Sequence, residues 1–132
     1  MVRFKVLIAD DHPSLLERIA EILQADYDIV AAVSNGLAAV DAASVLQPDV
    51  VILDISMPIL SGLDAAAQLS DSGCASRIIL VSVHEDPEFV EAARNAGAHG
   101  YVVKRMMTAD LLPAVRGVLR GQTAFPVLSK TA

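Results

Sequence analysis

Five polar side chains stand at the ends of apolar runs, and together their types could carry out one kind of chemistry. They are Asp10, Asp11, Asp54, Ser82 and Lys104. Three carboxylates brought together repel one another, so they need a cation, or one of them must take up a proton. Carboxylate oxygens suit a hard ion, above all Mg²⁺. A lysine and a hydroxyl beside such an ion are typical of a phosphoryl-transfer site.

Asp54 is the best candidate for the reacting group of that site. It directly follows the apolar run 50–53 in the stretch DVVILDISMPILSG, so a carboxylate would lie at the carboxyl end of a buried strand. A carboxylate beside a metal ion and a lysine can act as a nucleophile and become an acyl phosphate. A simpler interpretation stays open at this point. Asp is a common turn residue, and Asp10 with Asp11 could merely favour the positive end of a helix.

Strand-like and helix-like patterns alternate along the chain and would position these residues. Apolar runs predict strands at 4–9, 27–33, 50–54, 77–83 and 100–103. Amphipathic spacing predicts helices at 13–24, 37–46, 60–70 and 87–96. A last helix is predicted to be capped by Thr108 and ended by Gly121.

This alternation predicts the α/β fold class, with a five-stranded parallel sheet covered by helices on both faces. In such sheets ligands lie beyond the carboxyl ends of the strands, where the winding direction reverses. In the flavodoxin-like strand order 2-1-3-4-5, strands one and three are neighbours, and the three carboxylates would meet there. Placement of all five polar residues on one edge of the sheet favours the chemical interpretation.

The composition limits the classes of function. Of the 132 residues, 54% are hydrophobic and none is Trp, which fits one domain with an aliphatic core. The formal net charge of −6 argues against direct binding of nucleic acid. Three features predict a cytoplasmic protein without membrane contact. Cys74 is the lone cysteine, no apolar run approaches the roughly 20 residues of a bilayer span, and the sequence has no signal-peptide pattern.

The ordered motifs resemble the receiver domain of bacterial two-component response regulators. They are IADDHP at 8–13, VVILDISMP at 50–58 with Gly62, ILVSVH at 79–84 and GYVVK at 100–104. DDHP and GYVVK are similar to the branch whose members carry a C-terminal helix-turn-helix. The resemblance predicts a receiver domain over 1–120, with a tail or the start of a linker at 121–132 and no output domain within these residues.

The resemblance also implies a role for each candidate residue. Asp54 would accept a phosphoryl group from a histidine kinase or phosphotransfer protein, and Lys104 would contact that group. Mg²⁺ would bind Asp10, Asp11, Asp54 and the backbone carbonyl of Ser56. Arg105 follows the lysine where many receivers have a proline after a cis peptide bond, so the geometry of that loop does not follow from the resemblance.

Further residues of the motifs would form and tune a switch. Ser82 would be the switch hydroxyl, and Tyr101 the aromatic side chain that changes rotamer with it. Ser56 and His84 would flank the phosphoryl group and modulate its lifetime, and we hypothesise that His84 shields or orients the attacking water. Helix four, strand five and helix five would present the output surface. A homodimer would use that surface or helices one and five.

Other interpretations are less well supported. A phosphohydrolase of the haloacid dehalogenase type also uses a nucleophilic Asp with Mg²⁺, but it needs a second Asp where Ser56 stands. A nucleotide-binding fold needs G-x-G-x-x-G after the first strand, and this is missing. We therefore expect no enzyme beyond self-phosphorylation and slow autodephosphorylation. A transcriptional regulator and a stand-alone receiver both remain open. His12 and His99 lack metal-ligand spacing and are predicted to be incidental.

Overall fold

The computed structural model describes residues 3–126, which build a five-stranded parallel sheet between two layers of helices. The strand order is β2-β1-β3-β4-β5, which confirms the predicted flavodoxin-like order. Every residue of the central strand β3 is buried, so its sequence is continuously apolar until it reaches Asp54. The strands are β1 (Lys5–Ala9), β2 (Asp28–Val33), β3 (Val50–Asp54), β4 (Arg77–Ser82) and β5 (Gly100–Val103).

Five α-helices connect and follow the strands: α1 (Pro13–Leu23), α2 (Gly36–Leu46), α3 (Gly62–Asp71), α4 (Pro87–Asn95) and α5 (Met107–Leu119). Asn35 and Ser61 cap α2 and α3, each accepting a backbone N–H from the first turn. The predicted cap at Thr108 is wrong. A turn of 3₁₀ helix (Lys104–Met106) precedes α5, so the helix starts before Thr108, whose hydroxyl accepts a hydrogen bond from Arg18.

The sheet buries a separate apolar layer on each face. Helices α2, α3 and α4 cover the layer that contains Leu7 and Leu53, whereas α1 and α5 cover the layer that contains Ile8 and Ile52. Neighbouring residues of a strand point to opposite faces, so each inner strand contributes to both layers. This packing gives the loops at the carboxyl ends of the strands a rigid base. Among the helices of residues 3–126, none combines the length and apolar character that a bilayer span requires.

Residues 122–126, here called the C-terminal strap, run beside β5 after the end of α5. Ala124 forms a parallel bridge with Gly100, accepts the N–H of Tyr101 at 3.0 Å and donates its own N–H to His99 at 2.9 Å. The Arg94 guanidinium of α4 lies 4.0 Å from the centroid of the Phe125 ring. The strap therefore covers part of the β5 edge that would otherwise be open. Residues 127–132 lie outside the described part of the chain.

His99 has a structural role at the amino end of β5 that its sequence context did not suggest. Its Nδ1 accepts the backbone N–H of Ile78 at 3.0 Å, which requires that nitrogen to be unprotonated. Burial, aided by the nearby Arg77 charge, lowers the pKa of His99 below its usual 6.5. The prediction that His99 is incidental therefore fails for structure, although His99 lies outside the candidate site.

We expect His99 to make the free energy of unfolding depend on pH. Because the folded-state pKa is lowered, its stabilising effect is complete above the unfolded pKa and is lost as pH falls through the folded pKa. His99→Gln keeps an acceptor that cannot titrate, so its stability should change less between about pH 8 and about pH 5. Urea unfolding of both proteins at the two pH values measures this. Equal losses on acidification would contradict it.

Candidate functional site

The predicted carboxylates meet at the carboxyl edge of the sheet. β1 and β3 are hydrogen-bonded neighbours with Ala9 opposite Leu53, so the residues that follow, Asp10 and Asp54, lie side by side. Their exposed fractions are only 1% and 3%. Carboxylate oxygens of Asp10, Asp11 and Asp54 and a ring nitrogen of His12 all lie within 4.8 Å of one another. Strand pairing thus brings two buried carboxylates together, and the more exposed Asp11 and His12 lie beside them.

Lys104 connects the two buried carboxylates. Its Nζ lies 3.2 Å from Asp10 Oδ2 and 3.2 Å from Asp54 Oδ1, and only 14% of its side chain is exposed. The lysine follows β5, so its side chain reaches past the end of β4 to arrive there. An ammonium group that touches both acids offsets part of their repulsion and keeps a positive charge beside Asp54.

The cluster nevertheless carries more negative charge than Lys104 neutralises. Burial, and after it the Asp10 charge, raises the pKa of Asp54, although Lys104 and the backbone N–H of Ser56 favour its ionised form. Asp54 Oδ2 is buried and has no hydrogen-bond donor among residues 3–126. An orphaned carboxylate oxygen beside two further acids fits a hard divalent cation as the missing partner.

Ser82 and Tyr101 lie on adjacent strands beside the acids, and both are 2% exposed. Ser82 Oγ accepts the backbone N–H of His84 at 3.0 Å, and the Tyr101 hydroxyl donates to the backbone carbonyl of His84 at 2.7 Å. Burial raises the pKa of Tyr101, so the phenol keeps the proton that it donates. Both predicted switch side chains therefore hydrogen-bond to the backbone of His84 in the β4–α4 loop.

Comparison with known proteins decides the family. The profile of the family described as "Response regulator receiver domain" matches residues 6–116. The chain belongs to this family. The receiver domain is 37% identical over 123 residues to an uncharacterized transcriptional regulatory protein, YvfU of Bacillus subtilis, and 36% identical over 124 residues to the nitrate/nitrite response regulator protein NarP of Escherichia coli.

Each of these two matches covers 92% of this chain, which spans 62% of the length of YvfU and 58% of NarP. Among solved structures, the two-component response regulator of the LuxR family from Aurantimonas sp. SI85-9A1 superposes with a TM-score of 0.88 at 28% identity. That match covers 93% of this chain and 89% of the other. The fold and the arrangement of strands are therefore those of a receiver domain.

His84 is placed differently from what its sequence position suggested. Its ring stacks on Phe89 of α4, with centroids 4.0 Å apart and planes 5° apart. Ser56 is exposed at the start of the β3–α3 loop. Modulation of the phosphoryl lifetime by these two residues stays a prediction.

His12 lies beside the acidic cluster, although its lack of metal-ligand spacing predicted an incidental role. The residue follows the Asp10-Asp11 pair directly, and its Nδ1 lies 3.1 Å from one oxygen of each of those acids. Sequence reasoning rejected it because it is isolated from other His and Cys residues. Its adjacency to the acidic pair was the signal that could have found it.

Arg105 links two loops of the receiver domain across the edge of the sheet. Its guanidinium pairs in a bidentate manner with the Glu85 carboxylate, where Nε and Oε2 are 2.8 Å apart. All peptide bonds of residues 3–126 are trans, and the residues after Lys104 form the 3₁₀ turn. In place of a rigid proline, an ion pair therefore connects the β5–α5 loop to the β4–α4 loop.

Removing the Tyr101 hydroxyl is expected to loosen the β4–α4 loop. Tyr101→Phe deletes the bond to the His84 carbonyl and should lower the free energy of unfolding by about 1 kcal/mol. Amide exchange of residues 83–86 should become faster at the same time. Tyr27→Phe, altered beside the amino end of β2, serves as the control and should leave that exchange unchanged. Unaltered protection of the loop in Tyr101→Phe would show that the bond does not hold it.

Proposed function

We propose that this receiver domain is a phosphorylation-activated switch of a two-component system, in which Asp54 accepts the phosphoryl group. One observation carries the proposal: Lys104 Nζ lies 3.2 Å from both Asp10 and Asp54, and the buried Oδ2 of Asp54 has no hydrogen-bond donor among residues 3–126. A surface turn would not gather these groups, because burying them without a ligand costs free energy. The family membership supports the same function.

The proposed reaction is a transfer from a phosphohistidine of a histidine kinase or phosphotransfer protein. An Asp54 oxygen attacks phosphorus, so a P–O bond forms while the P–N bond breaks. The electron pair of the broken bond remains on the imidazole of the donor. Lys104 stabilises the negative charge on the phosphoryl oxygens, and the Ser82 hydroxyl, whose oxygen accepts from His84, can turn its proton towards them.

Mg²⁺ is the cofactor that we propose for this site. Asp10, Asp11, Asp54 and the backbone carbonyl of Ser56 would hold it. When bound, the ion neutralises the carboxylates and lets them approach a phosphoryl group of the same sign. Burial, and after it the Asp10 charge, raises the pKa of Asp54, and a bound cation would favour its ionised form.

Phosphorylation would act through the contacts around His84. The new group adds negative charge and acceptor oxygens, which attract the Ser82 hydroxyl. A shift of Ser82 alters the hydrogen bond between its Oγ and the His84 N–H. Movement of His84 then alters the hydrogen bond between the His84 carbonyl and the Tyr101 hydroxyl. Because Tyr101 lies on β5, the change reaches the surface formed by α4, β5 and α5. A few kcal/mol of differential contact suffices to invert two populations.

The output proposal rests on the named relatives. Both are regulators longer than this chain, and one is named as transcriptional. We infer a cytoplasmic transcriptional regulator whose receiver domain dimerises through α4, β5 and α5, or through α1 and α5. A stand-alone receiver that acts through protein contacts is the alternative. Slow autodephosphorylation, modulated by Ser56 and His84, would reset the switch.

Treatment with a small phosphodonor in the presence of Mg²⁺ tests the proposed function. Intact-mass measurement should show the gain of one phosphoryl group, and chelation of divalent ions before treatment should prevent it. A protein that stays unmodified with the ion present, while a known receiver domain in the same buffer is modified, would overturn the proposal.

A further inference from the structure

We propose that His12 faces the metal site and adds a nitrogen donor, so that this receiver domain discriminates in favour of later first-row dications such as Co²⁺ over Mg²⁺. The inference rests on the proposed function, because it uses the same cation site. It concerns which ions the site takes, and it assigns that selectivity to a residue of the β1–α1 loop.

The position of the His12 ring fits that of a ligand. Its Nδ1 lies 3.1 Å from Asp10 Oδ1 and 3.1 Å from Asp11 Oδ1. The contact between Nδ1 and Asp10 Oδ1 has the length of a hydrogen bond, and neighbouring ligands of an octahedral ion with bonds of about 2.1 Å are likewise about 3.0 Å apart. The spacing places the imidazole beside the carboxylates at the range where all three could share one ion.

The backbone holds the ring at the cluster. The N–H of His12 donates to Asp10 Oδ1 at 2.9 Å, and Pro13 restricts His12 to an extended conformation with φ −107° and ψ 110°. His12 is the N-cap residue of α1, yet its side chain makes no capping bond. The ring is therefore not used by the helix, and 62% of the side chain is exposed.

An independent observation points to a cation at this place. Asp54 is 3% exposed, its Oδ2 is buried without a hydrogen-bond donor among the described residues, and one of its carboxylate oxygens belongs to the same group of atoms as His12. Carboxylates alone suit Mg²⁺, whereas imidazole suits the later first-row metals, whose affinity for nitrogen-containing sites rises along the Irving–Williams series. One imidazole added to three carboxylates therefore changes the preference of the site.

Metal titrations of the full chain test the inference. Calorimetry gives the affinity for Mg²⁺ and for Co²⁺, and the visible spectrum of Co²⁺ reports whether nitrogen is bound. His12→Ala should lower the affinity for Co²⁺ by about tenfold or more and leave that for Mg²⁺ within about twofold. His99→Gln, which removes an imidazole outside the site, should leave both affinities unchanged.

The outcomes separate this inference from the proposed function. If the wild type binds both ions and accepts phosphate, but His12→Ala keeps the same Co²⁺ to Mg²⁺ affinity ratio and spectrum, only the role of His12 is overturned. Tighter binding of both ions by His12→Ala would show that the ring acts as a competing positive charge, which also overturns it. Failure of the wild type to bind either ion would remove the metal site and the proposed function with it.

Discussion

Replacing Asp54 by asparagine is expected to reduce phosphorylation by a small phosphodonor by more than about a thousandfold, to below detection by mass. The amide has the shape of the carboxylate but lacks the nucleophilic oxygen. Asp10 and Lys104 keep their mutual contact at 3.2 Å in the variant, so the surroundings of the site should persist. The loss would therefore report on the reacting atom.

Stability should not fall in Asp54→Asn. The folded-state pKa of Asp54 is raised, so the favourable contribution of the protonated acid is present below the unfolded pKa and is lost as pH rises through the folded pKa. At neutral pH the ionised side chain opposes folding, and a neutral amide removes that penalty. Urea unfolding should therefore give an equal or higher free energy.

Asp71→Asn is the matched control, because Asp71 is exposed at the end of α3. It should accept phosphate at the wild-type rate. Continued phosphorylation of Asp54→Asn would mean that another acid, such as Asp11, is the acceptor. Peptide mapping of the modified chain would then identify it.

Replacing Gly62 by alanine is expected to destabilise the fold by about 3 kcal/mol or more and to displace the phosphoacceptor. A Cβ at Gly62 would lie 2.8 Å from the carbonyl carbon of Asp54 and 2.9 Å from Cα of Ile55, and closer still to the Asp54 carbonyl oxygen. All three atoms belong to the backbone, so no side chain can turn away. The hydrogen bond from the Gly62 N–H to the Ile55 carbonyl, at 2.8 Å, holds the two segments together.

Gly117→Ala is a control that is expected to raise the free energy of unfolding, whereas Gly62→Ala lowers it. Gly117 lies inside α5, and the nearest atom to its added Cβ would be Gln122 Oε1 at 3.7 Å. Alanine there should raise the free energy of unfolding by about 0.5–1 kcal/mol, because it lowers the entropy of the unfolded chain. Urea unfolding and phosphodonor assays on both variants measure the contrast. A Gly62→Ala protein with native stability and normal phosphorylation would show that the end of β3 can move freely.

Much of the fold could be predicted because local pattern and tertiary packing agree. β3 and β5 have the predicted bounds, since each is an apolar run that ends at a charged residue, Asp54 or Lys104. Other elements differ by one or two residues at their ends, where packing rather than pattern decides. Alternation predicted a parallel sheet but allowed several strand orders. The approach of β1 to β3, which brings the acids together, was confirmed only by the structure.

Other parts of the site depend on geometry that the sequence does not display. The direction of the His12 ring follows from a backbone held by Asp10 and Pro13, not from ligand spacing. Stacking of His84 on Phe89 depends on the path of the β4–α4 loop. The error at Thr108 has a similar origin, because the 3₁₀ turn after Lys104 shifts the start of α5.

The parallel pairing of Ala124 with Gly100 sets the exit direction of the chain. The C-terminal strap runs parallel to β5, from the edge of the sheet formed by the amino ends of the strands towards the edge that contains Asp54. Within the described residues the strap therefore runs alongside Tyr101, whose N–H donates to the Ala124 carbonyl. A rearrangement of β5 would reach the strap through the two backbone hydrogen bonds that Ala124 makes with Tyr101 and His99.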